Sequence, residues 1–224
     1  MTAVLTVDVG GSNVKALLSG ETERRRSPSG PKMTAAEMVD VVHELVDGWE
    51  YEAVSVGIPA PVRDNQVVAE PVNMGTGWTG FDFEAAFARP TRVVNDAAMQ
   101  ALGSYEGGKM LFLGLGTGLG SSLAVDGRVA PMELGHLPYR KGTFEEYVGE
   151  EGLRRRGLER WSFHVRATID ALVGALQSDY VVLGGGNARK LEELPDHVRL
   201  GANVNAFVGA FRLWDPDAPG RIVS

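Results

Sequence analysis

The sequence predicts an α/β protein of two lobes flanking a cleft. Two observations carry that prediction. The order strand, glycine turn, strand occurs twice, at 3–18 and at 110–125, and each is followed later by an amphipathic helix and another strand. In addition, three glycine turns stand directly after apolar runs: Gly10-Gly11, Gly114 to Gly120, and Gly184-Gly185-Gly186. The repeated plan has no repeat of residues to match it.

The elements follow in order. Residues 3–8 form an apolar run ending in Asp8, and Val14 to Leu18 forms a second, so the turn between them reads as a hairpin. A third strand is expected over Glu21 to Arg26. Thr34 with Glu37 makes a capping box, and Met38, Val41, Val42, Leu45 and Val46 then repeat at helical spacing. Ala53 to Ile58 reads as a buried strand closed by Pro59-Ala60-Pro61. The stretch Asn73 to Thr79, with Trp78, suggests an ordered loop over a site. Arg92-Val93-Val94 is a short strand delivering Asn95-Asp96 to a helix from Ala97 to about Gly103. Met110 to Leu115 and Ser121 to Val125 are strands. Trp161, Val165, Thr168, Ile169, Leu172, Val173 and Leu176 mark a long helix, Tyr180 to Leu183 a strand, and Val204, Phe207, Val208 and Phe211 a last helix.

Composition excludes several functions. At 224 residues and 44% apolar, the chain can bury a substantial core. It has no cysteine, which removes disulfides, thiolate metal sites and thiol nucleophiles. The four histidines are scattered. A net charge of -7 argues against general nucleic-acid binding, which needs a basic surface. Two arginine runs, 24–26 and 154–156, read as solvated surface, the second also as a landing strip for a polyanion. No secretory leader opens the sequence and no apolar run nears the roughly 18 residues of a membrane span. A cytoplasmic protein without a membrane partner is expected.

Glycines after strands permit positive φ and close approach, so that successive N–H groups can point at phosphate oxygens. Two familiar nucleotide motifs fail. The 114–120 run lacks the spacing and the following helix of a dinucleotide fingerprint. Gly103 to Lys109 matches G-x-x-x-x-G-K, but Met110 stands where a Mg²⁺-binding Ser or Thr is needed, and the context is reversed.

With these residues in place, the sequence resembles the ROK family of sugar kinases, in its polyphosphate-glucokinase branch. Leu5 to Ser12 is similar to the family's first phosphate motif, and Val93 to Ala97 to its catalytic segment. Gly114 to Gly120 is similar to the second phosphate motif, Glu133-Leu134-Gly135-His136 to the sugar-binding E-x-G-H, and Val182 to Gly186 to the adenosine motif. The resemblance implies the two-lobed actin-like ATPase (ribonuclease H-like) fold with a central cleft. Lobes of 1–103 and 104–224 are expected, the last helix packing back on the first. Many members hold structural zinc through cysteines after E-x-G-H. Here Leu137 to Thr143 has none, so no zinc is expected. Asn13 stands where lysine is frequent.

The function implied is phosphoryl transfer from ATP or polyphosphate to a hexose hydroxyl, with Asp96 as general base. Asp8 would hold Mg²⁺ directly or through water. Gly10, Gly11, Ser12, Gly116, Thr117 and Gly118 would grip phosphates, and Gly184, Gly185 and Gly186 the adenosine. Asn95, Asp96, Glu133, His136 and Glu145 would form a buried polar sugar site; Trp78 is a candidate to stack on the sugar and equally one for the core. A homodimer is the family's common assembly. The alternative is a non-catalytic sugar or nucleotide sensor. Retention of Asp96, and a first phosphate strand not preceded by a helix-turn-helix, favour the enzyme.

Overall fold

The computed structural model describes residues 2–202 and 204–223. Two mixed sheets organise the chain. The first comprises β1 (Val4–Val9), β2 (Asn13–Leu18) and β3 (Arg25–Pro28), then, beyond helix α1 (Ala35–Leu45), β4 (Ala53–Ile58). A small hairpin of β5 (Val62–Arg63) and β6 (Gln66–Val67) and helix α2 (Phe83–Phe87) precede its last strand, β7 (Thr91–Asn95). The order is β3-β2-β1-β4-β7. β1 is buried along its whole length because it is flanked by β2, antiparallel, and β4, parallel.

Helix α3 (Asp96–Ser104) leads to β8 (Lys109–Leu115), β9 (Leu119–Val125) and β10 (Arg128–Met132). The hairpin of β11 (Pro138–Tyr139) and β12 (Gly142–Thr143) is followed by α4 (Phe144–Val148) and α5 (Glu150–Leu176). β13 (Tyr180–Gly184), β14 (Val198–Leu200), α6 (Asn205–Arg212) and β15 (Arg221–Ile222) complete the chain. The second sheet runs β14-β13-β8-β9-β10-β15. Its core face packs on α5 through Trp161, Val165, Ile169 and Leu172, while Ala97, Ala98, Ala101 and Leu102 of α3 cover its other face.

α3 and α6 join the two sheets. A Cβ at Gly103 would collide with the backbone of Asn205, and one at Gly209 with that of Met99, so only glycine lets the helices cross this closely. α6 reaches the first sheet through the Ser55 hydroxyl, which donates to Ala210 O (2.9 Å) and accepts from Trp214 Nε1 (2.8 Å). Gly103 therefore serves helix packing, consistent with rejecting the G-x-x-x-x-G-K match.

Several boundaries differ from expectation. The third strand is Arg25–Pro28, not Glu21 to Arg26. Its Arg25 donates to the carbonyls of Leu45 and Asp47 at the end of α1 and stacks on Trp49, so part of the first arginine run caps a helix. In α1 the capping box is present, but the deeply buried residues are Ala35, Met38, Val39 and Val42. Val41 and Leu45 lie at the rim of that face. α5 begins eleven residues before Trp161, at Glu150, and is broken by Gly157 at φ 74. In α6 the buried face is Ala206, Phe207, Gly209 and Ala210, because small residues face α3; Val204 is exposed. Trp78 is fully buried in the first sheet's core, its Nε1–H donating to Met33 O. That placement decides for the core over sugar stacking: the Asn73 to Thr79 loop is held by Glu70, whose carboxylate accepts from Trp78 and Thr79 N–H.

Candidate active site

β1, β4 and β7 run parallel, so their carboxyl ends lie side by side, where α/β folds place ligands. Register aligns Asp8 with Gly57 and Gly57 with Val94, which brings Asp8 and the Asn95-Asp96 pair to one rim. In the second sheet Gly114 pairs with both Gly120 and Gly184, so the second and third glycine turns leave the sheet at neighbouring points.

The first turn is closed by Gly10 N–H donating to Asn13 O (3.0 Å) and is braced by Ser29, whose hydroxyl donates to Gly10 O. Ser12 O accepts from Ser29 N–H. A Cβ at Gly11 would lie 3.9 Å from Thr117 Oγ1, so the first and second turns face each other across the cleft. Of the turn glycines only Gly185 has positive φ, at 82°. At two others space is short: a Cβ at Gly118 would meet the Glu145 carboxylate, and one at Gly184 the Phe112 ring.

Asn95, not Asp96, caps α3. Its Oδ1 accepts from Ala98 N–H (3.0 Å) and its amide donates to Ala60 O (3.2 Å), leaving one amide proton for a ligand. Asp96 stands at the first helical position, with Oδ1 accepting from Ala97 N–H. Its carboxyl is pushed up to about 7, first by burial, then by the charge of Asp8 and, more weakly, of Glu133. Asp8 in turn accepts from Lys15 Nζ at 2.8 Å. Lys15, two residues beyond Asn13, is a charge in this site that the motif reading missed; its place directly opposite Asp8 across the hairpin was the available signal.

The residues expected to bind sugar gather around the second turn. Glu145, at the start of α4, accepts from Leu119 N–H through Oε2 at 3.1 Å. The Glu133 carboxyl is held above its usual range by burial and by Glu145, against the opposing pull of His136. His136 Nδ1 lies 3.9 Å from Glu133 Oε2, and both side chains are more than half exposed. The expected buried polar site is thus an open bowl: Asp8 is buried at its base, Asn95, Asp96 and Glu145 are partly exposed, and Glu133 and His136 form its exposed rim. Gly184 and Gly185 pack on Phe112 and Leu115, and Gly186 is free of neighbours. Asn187, also missed, ties the third turn to the second: its N–H donates to Leu115 O and its amide to Gly116 O.

One family model, described as the ROK family, matches residues 4–154. The chain belongs to the ROK family. Polyphosphate glucokinase of Mycobacterium tuberculosis (strain CDC 1551 / Oshkosh) is 24% identical over 209 residues, 84% of this chain and 78% of that protein. Among solved structures, the inorganic polyphosphate/ATP-glucomannokinase of Arthrobacter sp. strain KM superposes with a TM-score of 0.83 at 22% identity, covering 94% of this chain and 97% of that one. A ROK family glucokinase from Streptomyces griseus, in complex with glucose and AMPPNP, gives 0.75 at 18% identity over 93% and 97%. The fold is that of the ROK sugar kinases.

Among the described residues no three His, Cys, Asp or Glu side chains are grouped to hold a metal ion. The stretch in which ROK members with zinc carry cysteines is organised here by aromatic packing. Tyr139 stacks on Phe144, meets Tyr147 edge-on and hydrogen-bonds His164 Nδ1 through its hydroxyl. Mg²⁺ makes a smaller demand, one or two carboxylates with the rest from phosphate and water. Asp8, nearly buried and with Asp96 beside it, fits that demand. No described helix is long and apolar enough to cross a membrane.

Proposed function

We propose that this chain is a hexose kinase that transfers a phosphoryl group from ATP or polyphosphate to a sugar hydroxyl. The observation that carries the reading is Asp96, a carboxyl pushed to about 7 beside Asp8, where two glycine turns face each other. A base with that affinity accepts a hydroxyl proton near neutral pH and is not wasted as a fixed charge. Asn95, Glu133, His136 and Glu145 present one amide donor, an imidazole and two carboxylates to a ring of hydroxyls. The turns Gly10-Gly11-Ser12 and Gly116-Thr117-Gly118 hold the donor phosphates from both sides, with the Gly10 and Gly116 N–H groups shaping the turns through Asn13 O and Gly118 O, and Gly184 to Gly186 border the adenosine. Asp8 would hold Mg²⁺, directly or through water. That ion supplies charge neutralisation to the phosphates. Closure of the cleft excludes water, which limits loss of the donor to hydrolysis.

The relatives support this reading: a protein named polyphosphate glucokinase aligns with 84% of the chain, and one named polyphosphate/ATP-glucomannokinase shares the fold. The test is an assay of purified protein with Mg²⁺, a panel of hexoses including glucose and N-acetylated sugars, and ATP or polyphosphate, beside Asp96→Asn. Sugar phosphate from wild type and loss of it in the variant are expected. Equal turnover in the two, or none with any pair, overturns the proposal, and sugar binding without phosphorylation would mark a sensor.

A further inference from the structure

Glu145 makes a contact that a sugar ligand alone does not explain. Its Oε2 accepts from the N–H of Leu119, the residue next to the Gly116-Thr117-Gly118 turn, and it lies so close to Gly118 that no Cβ fits between them. The contact is held from both ends. α4 is fixed by the Thr143–Glu146 capping box, and Glu145 O accepts from Gly149 N–H at 2.8 Å. The following Glu150 N–H donates back to the carbonyls of Gly116 and Thr117. A carboxylate therefore lies against a phosphate-binding turn, occupying a backbone donor and setting negative charge where a polyanion must come. Its other neighbour is the carboxylate of Glu133, which repels it. Sugar hydroxyls placed between the two carboxylates would donate to both and remove that repulsion.

We propose that Glu145 is a latch that couples the two substrate sites. In the sugar-free protein its carboxylate holds the second phosphate turn through Leu119 and Gly118. A bound sugar draws the carboxylate to its hydroxyls and frees the turn for donor phosphates. This rests on the hexose-kinase reading and adds an order to it: sugar first, then donor. The consequence is a protein that binds its donor weakly until there is a hydroxyl to receive the phosphoryl group. A charge-assisted hydrogen bond and the removal of one like charge are enough for coupling of about tenfold, within the roughly 5–150-fold range of such linkages.

Calorimetric titration of Mg²⁺–AMPPNP and of Mg²⁺–tripolyphosphate tests the latch, each with and without a saturating hexose chosen by its turnover. In wild type the sugar is expected to lower the donor Kd about tenfold. Glu145→Ala should bind donor without sugar as tightly as the sugar-saturated wild type. Glu145→Asp, which keeps the charge but withdraws it from Leu119, should fall between the two and serves if the alanine variant fails to fold. An unchanged donor Kd on adding sugar to a wild type that makes sugar phosphate overturns the latch and leaves the kinase standing. So does a sugar-free Glu145→Ala that binds donor no tighter than wild type. Absence of sugar phosphate from wild type with every donor overturns both.

Discussion

Lys15 Nζ lies 2.8 Å from Oδ2 of Asp8, and the two residues are directly opposed in the antiparallel pair of β1 and β2. The register of the hairpin thus delivers a cation to the deepest carboxylate of the cleft. Asp8 has no positive partner besides this ammonium among the described residues. On the hexose-kinase reading, entering phosphates would draw the lysine from Asp8, since its side chain is already 37% exposed.

Lys15→Met is therefore expected to lower kcat/KM for the donor by about a hundredfold, the scale seen when one preorganised charge-stabilising donor is removed. Its effect on the KM for sugar should be small. Steady-state kinetics with each substrate varied separately would show whether the loss follows the donor.

Asp96→Asn should reduce kcat by about 10²–10⁴, the usual contribution of a general base. In wild type, kcat/KM should rise with pH and level off above about 7, where burial and Asp8 place the ionisation of Asp96. A pH–rate profile that is flat from pH 5.5 to 8.5 would remove Asp96 from the role of base.

The same shift has a cost in stability. A carboxyl whose folded pKa is raised favours folding most below its unfolded pKa of about 4, and that contribution is lost as pH rises through the folded value of about 7. Asp96→Asn should accordingly be more stable than wild type at pH 8, by on the order of 1–3 kcal/mol, with the gain vanishing towards pH 4. Urea unfolding at pH 4, 6 and 8 would measure it; an inactive variant that is also destabilised at pH 8 would contradict the assignment.

Gly103 and Gly209 touch the backbone of the opposing helix, so Gly209→Ala should separate α3 from α6. Overpacking of this kind costs about 1–3 kcal/mol. For a chain of this size that corresponds to a fall in Tm of roughly 2–4 °C per kcal/mol, readable by circular dichroism. Because α6 bonds Ser55 in one sheet and α3 covers the other, lowered activity in the folded variant would follow from misplacement of Asp96.

Local patterns were legible where one element decides its own fate. The Thr34–Glu37 box, the β-rich Val4 to Val7, and the Asn95-Asp96 junction each carry their signal within a few residues. Trp78 was not legible in this way. An indole in a glycine-rich loop suits a ligand as well as a core, and only the three-dimensional position of Met33 O decided for the core. The strand ending at Arg26 was misplaced for a similar reason: an edge strand takes its limits from its partner, and β2 pairs with Arg25–Pro28.

The sequence by itself determined that three glycine turns follow apolar strands, that Asp8 lies at the end of the first of these strands and Asp96 just past a further one, and that a fixed order of motifs resembles that of ROK proteins. Only the tertiary structure decided which of these residues meet. Backbone hydrogen bonding and hydrophobic period are local properties, and they survive in a one-dimensional reading. The approach of Gly11 to Thr117, the grip of Glu145 on Leu119 and the pairing of Lys15 with Asp8 depend on strand register and helix crossing. So does the raised affinity of Asp96 for its proton, since burial and a neighbouring charge exist only when distant segments share one cleft.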